Sequence, residues 1–365
     1  MNLASAGVWM IVALLLCTPA LGDGGDEGME LNDGEMMSNP SLRVLVVNSY
    51  HPGWLLEEDL LSGIVEGLHR EGFAATLDYE LLTFWMDTKV NYTSPEEIEA
   101  RGYVAIGMIE ELKPDIVFVN NDNALEYVAI AYLQAHPEED LPFIFAGTYI
   151  DPSVYSPIGD LDHPNRTITG TLERIPYEGI FGEALKVFPN ATRILLISDA
   201  SPSSVNSKKE FQEWYSVHEN ESDLEVLDFV QTNSFEEWKS AVLEYQNGTD
   251  LLGIQAYQDI RDENGELVPP AEVARWTIGY SSIPEVGMIS SNVQDGMLIG
   301  VGVSYWETGI YGGIIGGEVL KGRSPRQFPI VDPGFVQLSF NLERAAMLNL
   351  TIPVCSLVRA DEVFG

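Results

Sequence analysis

The sequence predicts an α/β protein of two lobes, each built on a parallel sheet with helices on both faces. Three observations predict it. Short apolar runs alternate with helical periodicities from residue 42 onward. The alternation runs through once and starts again near residue 164. The chain has 365 residues, more than one hydrophobic core usually holds.

In the first run, residues 42–47 are continuously apolar, as a strand buried on both faces must be. Leu56, Leu60, Ile64 and Leu68 then recur at helical spacing, and Gly72 stops that helix. Residues 76–82 are the next strand. Ser94-Pro95-Glu96-Glu97 is a capping box with proline at the first helical position, opening a helix to Leu112. Residues 116–119 form a strand, Asp122 or Asn123 caps a helix through Ala135, and 143–146 are a fourth strand.

The second run begins with a strand at 168–172 and a helix at 177–187. A strand at 193–197 leads to a helix from about Ser203 to Val217, then a strand at 224–230. Ser234-Phe235-Glu236-Glu237 is a second capping box, with its helix ending at Tyr245. Strand 251–254, helix 271–280 and strand 286–289 follow. After these come a strand at 298–303, a helix at 304–320, a turn at Lys321-Gly322, a strand at 335–340 and one short helix at 342–348. Gly312-Gly313 and Gly316-Gly317 lie one turn apart in their helix, which reads as close helix packing rather than phosphate binding.

Residues 1–22 read as an export signal. The apolar run 8–16 is too short to span a bilayer, and Ala20-Leu21-Gly22 places small residues at both positions a cleavage site needs. Residues 1–7 hold no Lys or Arg, so an uncleaved N-terminal anchor is the alternative; lipidation at Cys17 is opposed by Leu16, where a small residue is wanted. Residues 23–41 read as a flexible acidic tether. The body is expected outside the cytoplasm, secreted or tethered at the cell surface. Cys355 is then the one remaining cysteine and is read as packing rather than as a nucleophile. Asn91, Asn165, Asn190, Asn220, Asn247 and Asn349 open Asn-x-Ser/Thr sequons, candidate glycan sites on surface turns. A net charge of −37 repels phosphate backbones and sets nucleic-acid partners aside. A mean hydropathy of +0.01 excludes a multi-span membrane protein.

Ligands of open parallel sheets bind beyond the carboxyl ends of the strands. In the first lobe those positions carry Ser49, Tyr50, His51, Asn121, Asp122, Thr148 and Tyr149; in the second, Asp199, Ser201, Tyr257 and Asn292. Directional polar groups beside aromatic rings make up a small-molecule cleft, although strand ends are polar in most loops as well. Trp54, Trp85 and Tyr305 are candidate aromatic walls, and Tyr305 adds the exposed N–H groups of a helix start. No hydrolase elbow, zinc-protease motif or phosphate loop occurs, and the five histidines lack metal-ligand spacing. The reading is of a binding protein, with no catalytic residue, metal or cofactor expected. An extracellular enzyme on the same scaffold is the alternative of a different class.

Asn48-Ser49-Tyr50-His51-Pro52-Gly53, followed by an acidic helix, resembles the opening of domains related to tryptophan-type ABC transporter substrate-binding proteins, and of sensory receptors that carry such domains. The stretch from Val303-Ser304-Tyr305-Trp306 to Lys321-Gly322 is similar to that family's tyrosine-then-glycine helix. Asn341-Leu342-Glu343-Arg344-Ala345 through Ile352-Pro353 and Ala360-Asp361 is similar to its C-terminal stretch. The resemblance implies a type I periplasmic-binding fold: two Rossmann-like lobes joined by a hinge of crossover segments, with a solute held between them. On that analogy, residues 42–163 with 301–324 form lobe 1, and 164–300 with 325–365 form lobe 2. The implied partners are a small-molecule solute and the permease and ATPase of an ABC importer, with the protein itself a monomer. A sensory receptor paired with a membrane kinase is the alternative within binding proteins. The solute's identity does not carry over.

Overall fold

Val44, Leu45, Val46 and Val47 are fully buried, because their strand lies between two others and is covered on both faces. This is β1 (Leu42–Asn48), the first element of a computed structural model that describes residues 42–219 and 222–365. The expected export signal, the tether and the sequon at Asn220 lie outside the described residues. Around β1 are α1 (Leu55–Arg70), β2 (Tyr79–Trp85), α2 (Pro95–Leu112), β3 (Ile116–Asn120), α3 (Asn121–Ala124), α4 (Ala131–Ala135), β4 (Phe143–Thr148) and β5 (Ile168–Leu172). The sheet order is β2-β1-β3-β4-β5, with β1 parallel to both β2 and β3, and β3 parallel to β4.

The capping box at Ser94 forms in full, its hydroxyl accepting from Glu97 N and the Glu97 carboxylate from Ser94 N. Three expectations here need correction. β2 starts at Tyr79, not residue 76, because Thr76 sits in a left-handed turn at φ 67°. Neither Asp122 nor Asn123 caps the helix after β3; the Ser49 hydroxyl does so from the neighbouring strand end, accepting from Ala124 N at 2.9 Å. That helix is also not uniform, since α3 and α4 are joined by a π-helical stretch, Leu125–Ile130.

After β5 come α5 (Tyr177–Val187), β6 (Arg193–Ser198), α6 (Pro202–His218), β7 (Glu225–Gln231), α7 (Phe235–Tyr245), β8 (Leu251–Ile254), α8 (Pro270–Tyr280), β9 (Glu285–Gly287), β10 (Ile299–Val303), α9 (Tyr305–Leu320), β11 (Val336–Asn341), α10 (Leu342–Met347), α11 (Val354–Leu357) and β12 (Glu362–Phe364), and β6 to β12 make up the second sheet. Its order is β12-β11-β10-β9-β8-β6-β7. Ile194 and Leu196 enter one core with Ile180, Phe211 and Phe340, while Leu195 and Ile197 enter the other with Trp238, Ile254 and Val273. Successive side chains of a strand point to opposite faces, so β6 serves both cores. A parallel sheet was expected; β10 and β11 instead pair antiparallel, Val301 opposite Leu338. At the second capping box Ser234 accepts from Glu237 N, but the Glu237 carboxylate takes the Thr232 hydroxyl at 2.5 Å, so the reciprocal half is missing. The tail holds two short helices and a strand rather than one helix. Cys355, expected to pack, is exposed on α11.

The described chain divides into two units, one ending at Gly170 and resuming over Gly309–Ile330, the other made of Thr171–Thr308 and Val331–Gly365. The passage into the first unit falls at Gly309 rather than at residue 301, because β10 is hydrogen-bonded between β9 and β11. Within the first unit, α9 lies against α1 at the separation glycines allow. A Cβ on Gly313 would stand 2.3 Å from Ile64 O, and one on Gly309 2.4 Å from Leu60 O. Ile315 and Val319 then complete the core formed by Val44, Ile64, Leu68, Ile116 and Phe118.

Candidate functional site

In the first unit, Asn48 and Asn120 end β1 and β3 side by side in register. Both are fully buried, and Asn120 Nδ2 donates to Asn48 Oδ1 at 2.8 Å. Ser49 follows, also fully buried, its hydroxyl donating to Asn120 O at 2.6 Å and its carbonyl accepting from the Thr88 hydroxyl at 2.7 Å. These residues brace the strand ends, and Ser49, expected at the ligand, is part of that brace.

Beyond the brace the chain turns outward. Tyr50, His51 and Trp54 are half-buried, and their rings gather: Trp54 meets Tyr50 edge-on at 6.2 Å and His51 at 5.5 Å. Lys89, from the segment after β2, places its ammonium 4.1 Å from the Trp54 ring centre and 4.6 Å from that of Tyr50, a cation–π arrangement. Trp54 Nε1 and His51 Nδ1 are buried without a hydrogen-bond partner. An unpaired buried donor costs about 1–3 kcal/mol, so this corner carries hydrogen-bonding capacity that the protein itself does not use.

Beneath the turn lies a residue that sequence reasoning missed. Glu57, in the first turn of α1, is fully buried. Its Oε1 accepts from Tyr50 N and from Asn121 Nδ2, each at 3.0 Å, while Oε2 has no partner. Burial pushes the carboxyl up to about 8, against the lowering influence of hydrogen bonds from Tyr50, Asn121 and Ser49 and of the Lys89 charge. Glu57 stands three residues before Leu60 and seven before Ile64, on the helix's buried stripe. An acid at a stripe position was the signal that could have found it.

Asn121 adopts the left-handed conformation at φ 63°, which its side chain tolerates better than most. Asp122 accepts from Tyr149 N at 2.9 Å and Ile150 N at 3.0 Å, pinning the loop after β4. Thr148 is fully buried and Tyr149 half-buried beside it. Trp85 ends β2 opposite Asn48 and is also half-buried. The structure thus brings together Tyr50, His51 and Trp54 with Lys89, and puts Ser49, Asn121 and Asp122 to work holding the loops.

The second unit treats its expected residues differently. Asp199 is nearly fully buried; its Oδ1 accepts from the Ser204 hydroxyl at 2.6 Å and from the Ser201 hydroxyl at 2.7 Å, and Oδ2 from Asp259 N at 3.2 Å. Burial opposes its ionisation, yet these hydrogen bonds together hold the carboxyl below its ordinary value. Ser201 caps α6. Two of the expected residues are turned inward. Tyr257 is fully buried in the core beside Trp238, its hydroxyl donating to Asp295 Oδ2 at 2.5 Å, because the chain folds inward directly after β8. Asn292 is 1% exposed and donates to Ile254 O at 3.1 Å, so it closes the end of β8 rather than facing outward. Tyr305 is half-buried at the start of α9, with its hydroxyl donating to Glu173 Oε1 at 2.5 Å; Glu173 was not foreseen. Of the sequon asparagines, Asn91, Asn165, Asn190, Asn247 and Asn349 are exposed.

A family model described as ABC transporter substrate binding protein matches residues 122–364. Among curated proteins none matches the sequence. The structure is similar to the ligand-free, open form of a substrate binding protein with adhesive properties from Clostridium difficile, at 17% identity, 88% coverage of this chain, 99% of that one, and a TM-score of 0.67. It is also similar to an ABC domain in complex with L-Trp from Streptococcus pneumonia, at 21% identity, 90% and 100% coverage, and a TM-score of 0.57. A conserved domain protein from Vibrio cholerae is a third likeness, at 16% identity, 88% and 99% coverage, and a TM-score of 0.57. At these identities the likenesses show the fold, which is that of type I periplasmic binding proteins.

Proposed function

The chain belongs to the family of ABC transporter substrate-binding proteins, and from that premise we propose that the Tyr50–His51–Trp54 corner with Lys89 is its principal solute-contact surface. Proteins of this family bind a small ligand outside the cytoplasm and work with a membrane permease and ATPase. The observation that carries the assignment is the corner itself: half-buried rings gathered under an ammonium group, with Trp54 Nε1 and His51 Nδ1 unpartnered. Rings offer a flat apolar surface, Lys89 a positive charge and Trp54 Nε1 a donor. That chemistry suits a small planar solute bearing a carboxylate or carbonyl oxygen. Asp199, Ser201, Tyr149 and Tyr305 are the further expected contacts, and release of the solute unchanged to an importer is the role proposed.

A thermal-shift screen over amino acids, nucleosides, purines and small organic anions tests the reading. Because the pneumococcal domain holds L-Trp, aromatic amino acids head the panel. A ligand at about 100 times its Kd stabilises by about 2.7 kcal/mol, so a planar carboxylate or carbonyl compound is expected to raise Tm by several degrees. A hit that shifts Lys89→Ala, Trp54→Ala and wild type equally would overturn the placement of the site.

A further inference from the structure

Glu57 is buried beneath the solute corner, yet none of its contacts is to a solute-facing side chain of aromatic type; it holds backbone and amide groups instead. One oxygen gathers Tyr50 N from the loop after β1 and Asn121 Nδ2 from the loop after β3. The other, Oε2, is buried with no partner. An ionised carboxylate with one oxygen bare in a dry site is costly, and such a group keeps its proton instead. We propose that Glu57 is a positioning residue for solute capture: an uncharged acid that ties the loops after β1 and β3 together, and that shifts the turn at 50–54 when it loses its proton. The inference rests on the reading of that turn as the solute surface.

The direction follows from the surroundings. Losing the proton leaves Oε2 charged and unsolvated, so water must enter or the turn must move to meet it. Burial pushes the carboxyl up to about 8, so the change is expected in mildly alkaline solution. The charged neighbour acting on it is Lys89, which favours ionisation, though less than the hydrogen bonds from Tyr50 and Asn121 do. Tyr50, His51 and Asp122 are the other titratable groups on the two loops it ties. Glu58, next on α1, accepts from Gly53 N at 2.8 Å and so anchors the outer side of the same turn.

The test needs no solute. The protein is labelled with 15N-tyrosine, and the Tyr50 amide is identified among 15 tyrosines by its loss in Tyr50→Phe. Its chemical shift is expected to titrate in the wild type with a midpoint near 8. The transition should vanish in Glu57→Gln, which keeps an oxygen for both donors. In Lys89→Ala it should persist with a higher midpoint. Should Glu57→Gln fail to fold, 13Cδ-glutamate labelling of wild type decides the matter, since one carboxyl carbon must titrate together with the Tyr50 amide. No transition of that amide between about pH 6 and pH 9, its survival in Glu57→Gln, or the lack of any glutamate carbon titrating with it would overturn the proposal. Each of these outcomes leaves the solute screen unaffected, and an empty screen leaves the titration standing.

Discussion

Trp54 and Tyr257 both follow a strand and both carry a polar atom on an aromatic ring, but their surroundings are opposite. Trp54 is half-buried under Lys89 with an unused N–H; Tyr257 is fully buried with its hydroxyl on Asp295. Trp54→Ala is therefore expected to weaken solute binding roughly tenfold or more, about 1.4 kcal/mol, with little loss of ligand-free stability. Tyr257→Phe is expected to do the reverse. It leaves the Asp295 carboxylate short of a donor and costs about 1–2 kcal/mol of stability, while the dissociation constant stays the same. Calorimetric titration beside urea denaturation separates the two, and a Tyr257→Phe protein with normal stability but lost affinity would return that residue to the site. The sequence marks both residues alike, because it records that a strand has ended and not whether the chain then turns outward or inward. Glu57 illustrates the same gap. Next to Glu58 it reads as one more acid favouring a helix start, and only the packing of α1 against the β1 and β3 strand ends tells the two apart.

At the scale of elements, the apolar runs located the strands well, since a strand covered on both faces has few polar residues to spare. They were silent on direction. β11 has the same composition whether it runs with β10 or against it, and the length of connection that decides this is a property of the path between them. The glycines of α9 were legible as packing positions, and the structure divides them further. Gly313 faces the α1 backbone, with room for no Cβ, whereas a Cβ on Gly312 would meet only Ala146 Cβ at an ordinary 3.8 Å. Gly313→Ala should thus cost about 1–3 kcal/mol through overpacking. Gly312→Ala should be neutral or stabilising by up to about 1 kcal/mol, because alanine is the better helix former. Equal urea midpoints for the two variants would show that α1 and α9 do not meet as closely as their glycines indicate.

For the whole molecule, a net charge of −37 sets the balance between repulsion and burial. Only 19 Lys and Arg face 56 Asp and Glu, so most surface acids have no basic neighbour to offset them. Self-repulsion of this kind weakens as the screening length falls from about 10 Å at 0.1 M salt to about 3 Å at 1 M. The melting temperature should accordingly rise by several degrees with sodium chloride over that range, and a flat or falling curve would mean that local pairs have already neutralised the repulsion. The fold's path has a consequence of another kind. The chain passes from one unit to the other after Gly170, after Thr308 and after Ile330, so neither unit is one uninterrupted stretch. A ribosome that has released everything up to Thr308 has finished neither of them. The groove along α1 at Gly67 still waits for Gly313, and the apolar face at Ile64 and Leu68 waits for Ile315 and Val319. The first unit consequently lacks part of its core until residues 309–330 have been added, late in synthesis.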